Sequence, residues 1–95
     1  MIMFQIYYTG QFKKDLKLIK KRSAENFDSL RGVVDILESG GHFSLNVGYK
    51  KHKLSGSYSN HWECHVLPGL LLIWLQSERE KRIILVRAGS HADLF

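Results

Sequence analysis

The chain has a single cysteine, no long apolar run and a shortage of acidic residues. Cys64 has no partner for an internal disulfide, and an exported domain of 95 residues would more often be stapled, so a reducing, cytoplasmic setting is expected. The longest apolar run, residues 70–75, is far shorter than the roughly 20 residues that span a bilayer. No basic N-terminal region leads into an apolar stretch, so a secretory leader and a membrane partner are not expected. Internal repeats, low-complexity segments and linkers are lacking, and 44% hydrophobic composition suits one core, giving a single domain over residues 1–95. Nine Asp and Glu stand against 14 Lys and Arg, a formal charge of +5 that favours polyanionic partners such as nucleic acid or an acidic protein segment.

Residues 3–8 read as a strand, and Thr9 can cap a helix through about Lys21. That helix carries Phe12, Leu16 and Ile19 on one stripe and Lys13, Lys14, Lys17, Lys20 and Lys21 on the other. Phe27, Leu30, Val33, Val34 and Leu37 predict a second helix from Ala24 or Glu25 to Glu38, stopped by Gly40-Gly41. Residues 40–51 are glycine-rich and irregular, and 50–58 read as a basic surface loop. Residues 60–66 alternate, with Trp62, Cys64 and Val66 on one face and His61, Glu63 and His65 on the other. After a Pro68-Gly69 turn come a uniformly apolar strand over 70–75 and a last strand over about 81–87. The predicted class is therefore α+β, in the order strand, helix, helix, strand, strand, strand. The sheet is mainly antiparallel, with two helices on one face and the other face partly open.

Period two places Glu63 and His65 on the open face, where His52 from the loop and Arg87 and His91 from the last strand's end can join them. Imidazoles are the usual agents for moving two protons in one reaction, and a guanidinium can hold charge developing on a phosphate. RNA cleavage through its own 2′-hydroxyl needs those two functions and no cofactor. A metal held by His61, Cys64 and His65 fails on geometry. On a strand the two histidines sit roughly 13 Å apart, and Cys64 faces the other way. Only His52, His65 and His91 could serve as ligands. Cys64 reads as a buried structural thiol. The helix lysines form either a solvated face or, with Lys50, Lys51 and Lys53, a surface for phosphates, while Tyr58 and Phe95 either stack on bases or pack at the rim.

Three segments carry a family resemblance: 8–15 (YTGQFKKD), 52–58 (HKLSGSY) with 63–68 (ECHVLP), and 87–95 (RAGSHADLF). With the element order, they make the chain resemble the YafQ-like branch of the RelE superfamily, the ribosome-dependent mRNA endonucleases that are toxins of bacterial toxin-antitoxin pairs. The resemblance implies a catalytic set of His52, His65, Arg87, His91 and Glu63. It implies substrate contacts from Lys50, Lys51, Lys53, Ser57, Tyr58, Ser90 and Phe95. His91 would protonate the leaving 5′-oxygen, His65 or His52 would accept the 2′ proton, and Arg87 would stabilise the phosphorane-like charge. The implied partners are mRNA, ribosomal RNA and a cognate antitoxin, with DNA reached only through the antitoxin, and the free toxin would be a monomer. Two rivals share the fold: a non-catalytic inhibitor of DNA gyrase, and a degraded toxin acting only in an antitoxin-DNA complex. The chain departs from the family at Pro68-Gly69-Leu70, where an acidic residue commonly follows the proline.

Overall fold

The computed structural model describes residues 3–95. The central strand of its sheet, β4 (Leu70–Ser77), is flanked by β3 (Trp62–Leu67) and β5 (Arg82–Gly89), both antiparallel to it. Beyond β5 lies β1 (Gln5–Tyr8), paired parallel, and beyond β3 lies the two-residue β2 (His52–Lys53), so the order is β1-β5-β4-β3-β2. A parallel pair needs a crossover, and the helices supply it. In the first, α1 (Gly10–Arg22), the Thr9 hydroxyl accepts from the Phe12 N–H at 3.0 Å. Ser23 closes α1 through its own N–H and opens α2 (Ala24–Gly40) by accepting from the Asn26 N–H at 3.1 Å. At Gly41 a φ of 65° ends α2, and a Cβ there would meet the Gln76 side chain at 2.6 Å.

The apolar stripes of both helices, Phe12, Ile19, Leu30, Val33 and Leu37, cover the sheet face made by Cys64, Leu72, Trp74, Ile83 and Leu85. The α+β class and the packing of two helices on one face thus match the sequence. The opposite face is less open than expected. Leu71 and Ile73 of β4 form a second cluster with Leu94, and Leu54, Tyr58 and Val86 pack on it. Leu94 belongs to α3 (His91–Leu94), a single helical turn that strand periodicity did not reveal. Its capping box is complete: the Asp93 N–H donates to the Ser90 hydroxyl and the Ser90 N–H to Asp93 Oδ2.

Other boundaries also move. The first strand begins at Gln5 and the alternating strand at Trp62, two residues later than expected in each case, while the last continues to Gly89. The basic segment read as a surface loop contains β2, because His52 and Lys53 pair with Glu63 and Trp62. The connection after α2 is a pair of short 3₁₀ turns, Gly41–Ser44 and Val47–Tyr49, rather than irregular chain.

That connection is fastened by His42, whose ring stacks on Trp62 at 4.0 Å. Lys51 Nζ lies 3.3 Å from His42 Nδ1 and also donates to the His42 carbonyl, so Nδ1 accepts. Nε2–H then donates to Glu78 Oε1 at 3.3 Å, which fixes the tautomer. Burial pulls the His42 pKa below its ordinary value, assisted by Lys51 and Lys53 and opposed by Glu78. A neutral ring is therefore favoured by folding. The unfolded chain takes up a proton as pH falls through about 6.5, so this stabilisation is present above that value and is lost toward the lower folded pKa. Thermal unfolding followed by circular dichroism should show a midpoint that drops between pH 7 and pH 5. The drop should be smaller in His42→Gln, and an equal slope in both proteins would refute the assignment.

Cys64 is fully buried on the helix-covered face, as the alternation predicted. Burial, with a smaller push from the Glu63 carboxylate, raises its thiol pKa to about 12. A thiol held protonated is a poor nucleophile. Thiol titration at neutral pH should count no reactive group in the native protein and one in denaturant.

Candidate active site

Strand register assembles the candidate residues in two rows on the face opposite α1 and α2. His52, Glu63, Ile73 and Arg87 are successive partners across β2, β3, β4 and β5, and His65, Leu71 and Gly89 form the next row. His91 follows Gly89 by two residues. A cleft of about 500 Å³ lies over these rows, lined by His52, Glu63, His65, Ser90 and His91, with Pro68 and Gly69 at its rim. The structure therefore brings together the three histidines and the glutamate picked out from the sequence. The rings of His52 and His65 are 6.5 Å apart.

Glu63 was expected on an exposed face; it is 5% exposed. Pairing with β2 is the reason, because the register sets the His52 ring directly over it. His52 Nε2 is 3.1 Å from Glu63 Oε1, and His52 Nδ1 is 2.9 Å from the Lys50 carbonyl. A carbonyl only accepts, so Nδ1 carries a hydrogen. Both nitrogens of His52 are thus engaged. Glu63 Oε2 is buried with no hydrogen-bond partner among the described residues, which concentrates the pair's polarity on the single contact with His52.

His91 is the first residue of α3, and its ring lies 4.9 Å from Phe95. Gly89 sits where the Ser90–Asp93 capping turn folds back, and a Cβ there would come within 3.1 Å of Asp93. Ser90 therefore has a structural task, capping α3, besides lining the cleft. Phe95 is 56% exposed and meets Tyr58 edge-on at 5.8 Å. Tyr58 is half-buried on the second apolar cluster, and Ser57 is exposed beside it in the 3₁₀ turn Gly56–Tyr58.

The remaining basic residues disperse. Lys50 lies at the edge of a neighbouring pocket. Lys51 is bound to His42, and the Lys53 ammonium sits 5.4 Å from the centre of the Trp62 ring, so neither lines the cleft. Among the described residues no group of three or more His, Cys, Asp or Glu side chains is arranged to hold a metal ion.

Arg87 is also committed elsewhere. Its Nε donates to Asp15 Oδ2 at 2.8 Å and its Nη2 to Oδ1 at 3.3 Å, and the Ala88 N–H adds a third bond to Oδ2 at 3.0 Å. β1 pairs with β5 only as far as Leu85, so the outer edge of β5 beyond it needs an acceptor. Asp15 provides one from α1. The Asp15 bond raises the Arg87 pKa further, with the Tyr58 hydroxyl a lesser contributor. Asp15 was not picked out from the sequence, although a signal exists: it is a carboxylate three residues after Phe12 and four before Ile19, on the buried stripe. Asp15→Ala should cost about 3 kcal/mol in urea unfolding, as expected when one member of a largely buried ion pair is removed. A loss under about 1 kcal/mol would place the pair among ordinary surface bridges.

Fold and site together define a small, basic α+β protein that presents histidines and a buried carboxylate in a cleft on one sheet face. The description "Bacterial toxin of type II toxin-antitoxin system, YafQ" matches residues 4–95, and the chain belongs to this YafQ family. It is 35% identical over 95 residues to the mRNA interferase toxin YafQ of Escherichia coli strain K12, covering 100% of this chain and 99% of that protein. The crystal structure of YafQ from E. coli BL21(DE3) superimposes with a TM-score of 0.86 at 33% identity, covering 97% of this chain and 98% of that one. YafQ in the E. coli DinJ–YafQ toxin-antitoxin complex gives 0.85 at 34% identity, covering 99% of each chain.

Proposed function

We propose that this chain is an endoribonuclease, an mRNA interferase acting as the toxin of a type II toxin-antitoxin pair. The observation that carries the reading is the convergence of His52, His65, His91 and Glu63 on one cleft, since in-line attack of a 2′-hydroxyl requires a proton acceptor and a proton donor on opposite sides of a phosphate. The 2′-oxygen bonds to phosphorus as its proton leaves. The bond from phosphorus to the 5′-oxygen breaks as that oxygen gains a proton, leaving a 2′,3′-cyclic phosphate and a free 5′-hydroxyl. His91 lies on the β5 side of the cleft and donates to the 5′-oxygen. On the β3 side the acceptor is His65, because both nitrogens of His52 are already engaged. The His52–Glu63 pair lies beside it and orients its surroundings.

Arg87 does not itself line the cleft; it spends two of its five N–H groups on Asp15 and meets the Tyr58 hydroxyl, and an N–H group beyond these would have to reach in to hold a phosphate oxygen. Gly69, where relatives commonly carry an acid, opens into the cleft, and nothing lies within 4 Å of where a Cβ would be. Glu63 is consequently the one carboxylate among the residues lining the cleft. Exposed Phe95, braced edge-on by Tyr58, offers a face to a base.

The lysines of α1 point outward and would meet ribosomal RNA, with an affinity that falls steeply with salt. An antitoxin partner follows from the relative bound to DinJ, and contact with DNA would run through that partner. Action on ribosomes would take place in the cytoplasm, by a toxin that is monomeric when free; none of the described helices is long and apolar enough to cross a membrane.

Induced expression with mapping of mRNA 5′ ends tests the reading. Wild type should produce codon-phased cuts, and His91→Ala should reduce them by at least about 10²-fold, the usual worth of a general acid. Growth arrest with intact mRNA would instead support a gyrase inhibitor, and no arrest at all an antitoxin-DNA component.

A further inference from the structure

A second pocket, of about 550 Å³, adjoins the cleft along the β3 residues His65–Leu67, and His91 is not part of its lining. It is lined by Asn46, Tyr49, Lys50, His65, Leu67 and Pro68, and it shares His65 and Pro68 with the cleft. Its size falls within the roughly 300–1,000 Å³ of pockets that hold small ligands. Continuity matters more than size. A strand of RNA that places its phosphate between His91 and His65 must continue past His65, and this pocket is the concavity it reaches.

The lining suits a nucleoside. Leu67, Pro68 and half-buried Tyr49 give an apolar bed for a base. Asn46 Oδ1 is used, accepting from the Gly48 N–H at 2.9 Å, so the amide nitrogen is left to donate to an acceptor on a base edge. Lys50 is exposed and carries its charge at the mouth. Its backbone adopts a left-handed φ of 51°, which a non-glycine residue rarely takes and which tends to persist where surrounding structure demands it. The Lys50 N–H is bound to the Val47 carbonyl at 3.1 Å and the Lys50 carbonyl receives His52 Nδ1. One residue thus ties the pocket to the catalytic cleft through its main chain and offers an ammonium to phosphate through its side chain.

We propose that this pocket is a nucleoside subsite of the RNA substrate, holding the nucleotide on the 5′ side of the cut, whose own 2′-hydroxyl attacks. The proposal rests on the endoribonuclease reading, and polarity follows from it. His91 protonates the leaving 5′-oxygen, which belongs to the downstream nucleotide, so the upstream nucleotide lies toward His65 and beyond it. Asn46 reads its base and Lys50 holds the phosphate that precedes it.

Two substitutions separate these roles. Asn46→Ser keeps a side-chain oxygen for the Gly48 N–H and removes the amide, while Lys50→Asn keeps a residue that tolerates the left-handed backbone and removes the charge. Mapping of cut sites in cells expressing wild type should show a bias in the nucleotide immediately 5′ of the cut. In Asn46→Ser that bias should relax by about tenfold, the worth of one hydrogen bond, with the bias on the 3′ side retained. In Lys50→Asn cutting should weaken about equally across sequences. Circular dichroism melts confirm that both variants fold. A wild type indifferent to the 5′ nucleotide, an Asn46→Ser profile identical to wild type, or a Lys50→Asn variant cutting at full rate would overturn the subsite while leaving the endoribonuclease reading intact. A wild type that cuts no mRNA would overturn that reading itself.

Discussion

Because β4 is buried on both faces, its two sets of side chains dictate where everything else in the molecule sits. Leu70, Leu72 and Trp74 point to the side covered by α1 and α2, and Leu71 and Ile73 to the other. A strand buried on one side only could be paired in a shifted register at modest cost, but here a slip of one residue would exchange two complete apolar surfaces. The register of β3 and β5 is correspondingly fixed. With it are fixed the rows that put Glu63 beside Ile73 and His65 beside Leu71. The candidate site's face is therefore a by-product of core packing: the positions of polar groups on β3 are set by apolar neighbours on β4.

The same logic explains the irregularity in β5. Trp74 pairs with Leu85 and Ile73 with Arg87, so Val86 is an extra residue in the ladder. A bulge of this kind bends a strand and re-aims its side chains. Leu85 and Ala88 keep their places in the main core, Val86 joins the second cluster, and Arg87 turns to the edge where Asp15 waits. Without the extra residue, alternation after Leu85 would send Arg87 into the helix-covered core. The bulge and the Asp15 pair are two parts of one solution to placing a guanidinium at the end of a buried strand.

Much of this was legible in the sequence. Helical stripes in 9–38 and alternation in 60–66 pointed to both helices and the two faces of β3, and the uniform apolarity of 70–75 marked the central strand. Thr9 revealed its cap because hydroxyl caps act within a few residues. What escaped was decided by contacts distant along the chain. The two residues of β2 carry no periodicity, and their strand state comes from pairing with Glu63 and Trp62. The burial of Glu63 and the partner of Arg87 have the same origin, and Asp15 lies 72 residues from the guanidinium it binds. α3 is too short for a stripe, although Ser90 and Asp93 at capping-box spacing hold its signature.

Residues 50–53 show how little chain is needed to organise a site. Their contacts alternate: the Lys50 carbonyl and the His52 ring engage on the cleft side, whereas Lys51 reaches His42 and Lys53 lies over Trp62 on the other. Period two thus sorts four consecutive basic residues into two groups with different tasks. Lys51 and Lys53 spend their charge on an imidazole, a carbonyl and an indole face, which secures the edge of the sheet. His52 is then presented to Glu63 by an edge strand that is anchored from behind. Two residues of ladder could not do this alone, since an isolated short edge is only marginally held. The anchoring contacts on the far side of β2 are what make a two-residue strand rigid enough to hold the His52 ring 3.1 Å from the Glu63 carboxylate.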